Sequence, residues 1–175
     1  DWHYLGTKGD LCETTEGITG IQSWFRLRQE ELRDASGAQR MRWAARRVRK
    51  RKEDIAYCLL GIFSVTMPII YGEGDKAFRR LQEHIMRDIG YDSILAWGLG
   101  PKGLTHDNSS AIIPGGALAT SPLAFANCGQ IVAWERSSNG SFDVHGGGLQ
   151  LHLSLYTTPA GDTLGLLKCG AEDDA

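Results

Sequence analysis

The fold is decided by the stretch Glu53-Asp-Ile-Ala-Tyr-Cys-Leu-Leu-Gly-Ile-Phe-Ser-Val-Thr-Met-Pro-Ile-Ile-Tyr-Gly-Glu-Gly74, which is soon followed by Lys76-Ala-Phe-Arg-Arg-Leu-Gln-Glu-His-Ile-Met86. Apolar residues recur at helical spacing on both sides of its middle. Pro68 ends the first helix, because proline lacks an amide donor and restricts the residue before it. Gly72 and Gly74 offer backbone angles closed to other residues. The stretch therefore predicts two amphipathic helices joined by one tightly specified turn.

Helices are also predicted around this stretch. Ser36-Gly-Ala-Gln39 is a capping pattern, and apolar residues then recur with arginines between them, which predicts a helix over about Ala38–Val48. Glu53 and Asp54 place negative charge at the start of the next helix, where the helix dipole favours it. The helix after the turn is predicted over about Asp75–Asp88.

The last third of the chain has a different pattern. Leucines alternate with polar residues from Leu149 to Leu155, the turn-forming run Thr157–Gly161 follows, and Thr163–Cys169 is predicted to return. We therefore predict an α+β fold, with an N-terminal helical half packed against a small C-terminal antiparallel β-sheet. The helical part spans 1–97, and the loop and β part spans 98–175. The β part is expected to be truncated at its C-terminus, and both parts to form one composite module of a longer protein.

Composition narrows the class of protein. The chain has 175 residues, 42% of them apolar, and a net charge of −2, which suits one globular core. It lacks both an apolar run of about 18 residues and a signal-like start, so no membrane association and a cytoplasmic location are expected. Its four cysteines and five histidines never share metal-ligand spacing, and no Gly-x-Ser-x-Gly elbow occurs. The sequence thus indicates no catalytic, cofactor-binding or metal-binding residue.

Two motifs have competing interpretations. Gly72-Glu-Gly74 with Lys76 could cradle a phosphate, but the full glycine spacing of such loops is missing, which favours a helix-initiating turn. The run Arg46-Arg-Val-Arg-Lys-Arg-Lys52 belongs to a segment, 26–52, with 11 basic and three acidic residues. It could bind nucleic-acid phosphates or act as a localisation signal, whereas a solvated or intramolecular role is favoured.

Several ordered blocks resemble fungal heterokaryon-incompatibility (HET domain) proteins. They are Gln39–Arg47, Glu53–Phe63, Met67–Gly74, Ala77–Glu83 and Asp92–Trp97. The resemblance lies in the region that follows the HET core, because the core's opening motifs do not occur here. The sequence also departs from the family: no hydroxyl precedes Glu53 to cap its helix, and Ser64 stands where an Asp is common.

The resemblance implies a non-catalytic scaffold or regulatory module that follows a HET effector domain in vegetative incompatibility and programmed cell death. The upstream HET domain of the same chain is its expected partner, and a further protein partner or self-association stays open. One alternative is a part of an NAD-cleaving TIR-like enzyme whose active site lies upstream, and another is a nucleic-acid-binding module. The residues singled out for interaction are Trp43, Arg46, Arg47, Arg49, Lys50, Arg51, Lys52, Tyr71 and Glu73.

Overall fold

The computed structural model describes residues 3–4, 6–7, 9–22, 25, 32, 34–89, 92–98, 116–134, 143–145 and 148–171. Most of the predicted loop between Gly98 and Gly116 lies outside these residues. The chain divides into two compact units, residues 1–35 and 36–175. The described helices are α1 (Cys12–Thr19), α2 (Gly37–Ala45), α3 (Glu53–Tyr57), α4 (Leu60–Phe63) and α5 (Lys76–Ile89), with 3-10 turns at Asp92–Leu95 and Pro122–Phe125.

The first unit contains α1, whose start and end have local causes. Before it, the Thr7 N–H donates to the Asp10 carboxylate at 2.8 Å, and the Asp10 N–H donates to Thr7 Oγ1 at 3.3 Å. Gly20 ends the helix in a left-handed conformation with φ of 66°, and its N–H donates to the Glu16 carbonyl. Glycine is favoured at this position because it lacks a Cβ.

In the second unit, α2 begins with the predicted capping box. Gln39 N–H donates to Ser36 Oγ at 3.1 Å, while Ser36 N–H donates to the Gln39 side chain at 2.9 Å. Further bonds reach distant segments: Gly37 N–H donates to Ser93 Oγ, and the Gln39 amide donates to the Gly129 carbonyl. The cap thus also ties the start of α2 to two later parts of the chain.

The predicted helix from Glu53 to Phe63 is divided into α3 and α4. The Leu59 N–H bonds to the Ala56 carbonyl, three residues back instead of four, which tightens the backbone between the two helices. Ser64 then ends α4 with φ of 54°, in the left-handed region that glycine and asparagine usually occupy. The backbone therefore departs from α-helical geometry twice before it reaches Pro68.

The next helix, α5, follows the predicted turn and starts one residue later than expected. Gly72 and Gly74 have φ of 96° and 59°, which confirms that the turn needs glycine. One face of α5 is buried, and it consists of Ala77, Phe78, Leu81, Gln82, Ile85 and Met86. Ser121-Pro122 predicts one helical turn through Phe125, because proline suits the first position of a helix. The structure has a 3-10 turn at Pro122–Phe125, and Phe125 and Cys128 join the same core.

The described strands form three antiparallel pairs and confirm the α+β class with small C-terminal sheets. They are β1 (Ile131–Ala133) with β6 (Cys169–Ala171), β2 (Asp143–His145) with β3 (Gly148–Gln150), and β4 (Ser154–Thr157) with β5 (Thr163–Leu166). The leucine row is split between β3 and β4, because residues 151–153 leave the extended pairing. Both strands of the β4–β5 hairpin are exposed along their length, whereas β1 contributes Ile131 to the core.

The described helices do not include one with the length and apolar character needed to cross a membrane. The core of the second unit is built from side chains of α2, α3, α4 and α5, of the two 3-10 turns and of β1. It is formed by Ala38, Met41, Ala44, Ala56, Leu59, Phe63, Val65, Met67, Ala77, Phe78, Leu81, Ile85, Met86, Ile94, Ala119, Phe125, Cys128 and Ile131. The turn at 71–74 and the basic residues 46–52 lie at the edge of this core.

Candidate functional site

The turn before α5 is held by a carboxylate from the start of α3. Glu53 Oε1 accepts hydrogen bonds from the N–H groups of Gly72 at 2.8 Å and Gly74 at 3.0 Å. We call this arrangement the Glu53 clasp. Two turn amides, two residues apart and aimed at one oxygen, form an anion-binding concavity of the kind that also binds phosphate. Here the anion is supplied by the protein itself.

The electrostatics agree with this geometry. Hydrogen bonds from Glu53's own N–H, and from those of Gly74 and Gly72, hold the pKa of its carboxyl below the ordinary 4.5. The clasp is therefore ionised at neutral pH. Because its two glycine amides already have an acceptor, the helix-initiating turn fits Gly72-Glu-Gly74, and a phosphate cradle does not.

A second set of bonds fixes the chain on each side of the turn. Tyr57 lies one helical turn after Glu53, and its hydroxyl accepts from the Ile70 N–H at 2.7 Å. The same hydroxyl lies 2.7 Å from the Ile70 carbonyl and 3.1 Å from the Glu73 carboxylate, either of which can accept its proton. Glu73 also pairs with the Arg80 guanidinium of α5, and both side chains are mostly buried. Glu73 is thus a structural ion-pair partner.

Tyr71 lies on the exposed side of this turn. Its hydroxyl donates to Asp54 at 3.1 Å, and its ring meets the edge of Tyr57 with the centroids 5.7 Å apart. The Arg51 guanidinium lies over the Tyr71 ring, 4.8 Å from its centroid. The hydrogen bond to Asp54 raises the pKa of Tyr71 above the ordinary 10.0. Although these three groups orient it, the side chain stays 53% exposed.

Ile69, Ile70 and Tyr71 together form a run of exposed large apolar side chains, which we call the apolar ridge. Ile69 is 61% exposed and Ile70 is 49% exposed. The hydrogen bonds described above fix the backbone at Ile70 and the side chain of Tyr71. A contiguous apolar surface on a fixed backbone is a feature of protein interaction sites.

The predicted basic residues occupy one exposed connection, residues 46–52, which we call the basic loop. Arg46, Arg47, Arg49, Lys50, Arg51 and Lys52 are all exposed. Lys52 pairs with Asp75 at 2.9 Å, and Arg51 covers Tyr71, so the end of this loop contacts the clasped turn. The structure therefore brings Arg51, Lys52, Tyr71 and Glu73 together. Trp43 is separate from them, since it is buried in α2.

A buried glutamine joins α5 to the segment after residue 116. Gln82 is fully buried, and its amide donates to the Ala119 carbonyl at 2.8 Å while its oxygen accepts from the Ala119 N–H at 3.0 Å. The side chain thereby satisfies both backbone groups of a buried residue, as a neighbouring strand would. It also donates to the Phe78 carbonyl at 3.2 Å.

No cluster of three or more His, Cys, Asp or Glu side chains suited to a metal ion occurs among the described residues. Burial raises the pKa of Cys128 and of Cys169 to about 11, so both are protonated thiols at neutral pH. Neither thiol is placed to act as a nucleophile.

Sequence reasoning assigned Glu53 to the helix dipole and did not find the clasp, Tyr57, Arg80 or Gln82. A partial signal was available: Glu53 and Tyr57 are four residues apart and therefore share one helix face. Two glycines with positive φ angles then place two amides, one on each side of Glu73, that need an acceptor. The Gln82 bond had no sequence signal, because its partner lies 37 residues away.

The structure defines an α+β module built on a clasped helix–turn–helix, and sequence comparisons give it relatives. Residues 76–144 match a family described as a domain of unknown function, DUF8212. The chain is also 44% identical over 87 residues to the vegetative incompatibility protein HET-E-1 of Podospora anserina, which confirms the resemblance to heterokaryon-incompatibility proteins. That match covers 49% of this chain and 6% of HET-E-1. No solved structure matches the chain.

Proposed function

We propose that the chain is a non-catalytic scaffold or regulatory module that acts in fungal vegetative incompatibility and the associated programmed cell death. The similarity to HET-E-1 supports a role in vegetative incompatibility. In this proposal the module follows a HET effector domain in the same protein, works in the cytoplasm, and has a helical part over 1–97 and a β part over 98–175.

The observation that carries the proposal is the Glu53 clasp. The turn directs its polar groups inward: Gly72 and Gly74 donate to Glu53, and Glu73 pairs with Arg80. Its apolar side chains face outward as the ridge of Ile69, Ile70 and Tyr71. An active site would keep polar groups available for its substrate. The reverse arrangement supports a docking role.

The expected partner at the ridge is the HET domain of the same protein. A preformed apolar surface loses little conformational entropy on binding, because the bonds of Tyr57 and Asp54 already order the backbone and the Tyr71 ring. Docking there would couple the state of the module to the effector domain. Regulation would then depend on surface complementarity and on the fold.

The test is a cell-death assay with variants of the ridge. The gene that encodes this chain is expressed in a filamentous fungus with Ile69→Asp, Ile70→Asp or both, and death is scored with a vital dye. Leu155→Asp is the matched control, since Leu155 is 70% exposed on the β4–β5 hairpin. We expect death to fall for the ridge variants, with unchanged thermal unfolding, and to persist for the control.

Two outcomes would contradict the proposal. Unchanged cell death in the Ile69→Asp, Ile70→Asp double variant would remove the docking role. Consumption of NAD by the purified 175-residue chain, in proportion to its concentration, would replace the scaffold with an enzyme.

A further inference from the structure

A second apolar surface lies away from the ridge, at the end of α2. It is a groove of about 340 Å³ between α2, the basic loop, α3 and the Pro122 turn. Its apolar lining consists of Ala44, Ala45, Val48, Ile55, Pro122 and Leu123. All of these residues belong to the second unit, so the groove is part of one compact body.

The apolar side chains at its rim are left in water. Val48 is 90% exposed and Leu123 is 62% exposed, although both line the groove. Exposing aliphatic surface costs free energy in proportion to its area, and a partner that covers the groove recovers that free energy. A concave apolar site flanked by exposed apolar rims is typical of grooves that accept the side chains of a peptide.

The charge around the groove is positive and unneutralised. Arg46 and Arg47 also line it, and Lys50 lies in the same loop. Within the described part of the chain, no carboxylate pairs with Arg46, Arg47 or Lys50, whereas Lys52 pairs with Asp75. Cations beside an apolar groove complement a ligand with apolar side chains on one face and carboxylates beside them.

We propose that this groove binds an acidic amphipathic helix of a separate partner protein. Its apolar side chains, spaced at i, i+3 or i+4, and i+7, would enter between Val48 and Leu123. Its Glu or Asp side chains would pair with Arg46 and Arg47, whose planar guanidinium groups bind carboxylates through two parallel hydrogen bonds. The inference is independent of the proposed function, because it concerns a different surface.

Nucleic acid fits the same charges less well. Proteins that hold single strands stack bases on aromatic side chains, and no aromatic residue is among the described residues that line the groove. Trp43, the aromatic residue that precedes the basic loop, is buried, and Tyr57, the nearest aromatic residue after it, is half-buried. The aliphatic lining is therefore better explained by a protein ligand.

The experiment uses the 175-residue chain and a fluorescein-labelled 18-residue peptide. The peptide carries leucines at helical spacing on one face and glutamates on the other, and fluorescence anisotropy measures its affinity. A peptide of the same composition with a scrambled order is the control for charge alone. We expect the amphipathic peptide to bind at least tenfold more tightly than the scrambled one, with affinity that falls as salt rises.

Variants locate the binding. Leu123→Asp should weaken the peptide at least tenfold, because it places a carboxylate at the apolar rim. Arg46→Gln with Arg47→Gln should weaken it severalfold and reduce the salt dependence. Lys50→Gln lies in the same loop outside the groove, and Leu155→Asp is exposed elsewhere, so both should change affinity less than twofold. Thermal unfolding of each variant confirms that all remain folded.

Three results would overturn the proposal. Equal affinity for the amphipathic and scrambled peptides would show attraction by charge alone. Tighter binding to a DNA duplex or to anionic lipid vesicles, weakened equally by Lys50→Gln and Arg46→Gln and unaffected by Leu123→Asp, would assign the loop to those ligands. Self-association of the chain that Leu123→Asp abolishes, without peptide binding, would make the occupant a second copy.

Discussion

Replacement of Gln82 by leucine isolates the bond between α5 and the segment after residue 116. Leucine has a similar size and leaves the buried face of α5 apolar, but it removes both the amide donor and the oxygen acceptor. The N–H and carbonyl of Ala119, which is 3% exposed, then lose their partner in the interior. Each buried unsatisfied group costs about 1–3 kcal/mol, so the two together predict a loss of roughly 2–6 kcal/mol.

The assay is urea unfolding followed by far-UV circular dichroism. Arg87→Leu is the matched control on the same helix, because Arg87 is exposed and its replacement should change the free energy of unfolding by less than about 0.5 kcal/mol. Gln82→Glu gives a second arm. A protonated carboxyl can still donate to Ala119, whereas a buried carboxylate cannot and its burial is costly. Gln82→Glu should therefore lose more stability, relative to the parent chain, at pH 7 than at pH 4.

A loss below about 1 kcal/mol for Gln82→Leu would refute the reasoning, since it would mean that water or another group satisfies Ala119. If Gln82→Glu loses the same stability relative to the parent chain at pH 7 and at pH 4, the prediction for this variant is wrong, because the introduced carboxyl would then be solvated in both of its protonation states.

Three further predictions concern single sites. Ser64→Gly should raise the free energy of unfolding by about 0.5–1 kcal/mol in urea titrations, because Ser64 has φ of 54° and glycine adopts that angle without strain. Because the pKa of Glu53 is lowered, the stability that its carboxylate contributes is present above pH 4.5 and is lost as the pH falls through the folded-state pKa. On acidification, Glu53→Gln should therefore lose less free energy of unfolding than the parent chain. Equal losses would contradict the clasp. Cys128 and Cys169 should react about a hundredfold more slowly with iodoacetamide at pH 8 in the folded chain than in urea, because their pKa is about 11 instead of 9.0. Mass spectrometry measures the two rates. Equal rates would contradict the burial of these thiols.

Local signals in the sequence were sufficient for several elements. The capping box at Ser36, the glycine turn and the Pro122 turn each depend on residues within four positions of one another, and the structure confirms all three. The α+β class followed from the change of pattern after Trp97. Such features are predictable because the backbone angles and cap bonds are set by the residues that form them.

Long-range contacts explain what the sequence did not indicate. The leucine alternation predicted one strand, but pairing partners divide it into β3 and β4. Glu53 has a sufficient local role at a helix start, which concealed its bonds to amides 19 and 21 residues away. The basic run likewise gave no sign that Arg51 would stack on Tyr71. In each case the deciding partner is adjacent only in the folded chain.

The central claim is that the Glu53 segment acts through its fold. The most direct test is cell death in a fungus that carries Glu53→Gln alone or together with Ser64→Gly. If Glu53 is structural, the single variant lowers both urea stability and cell death, and Ser64→Gly restores both in proportion. If stability returns with Ser64→Gly and cell death does not, Glu53 has a direct role in the activity and the scaffold account is wrong.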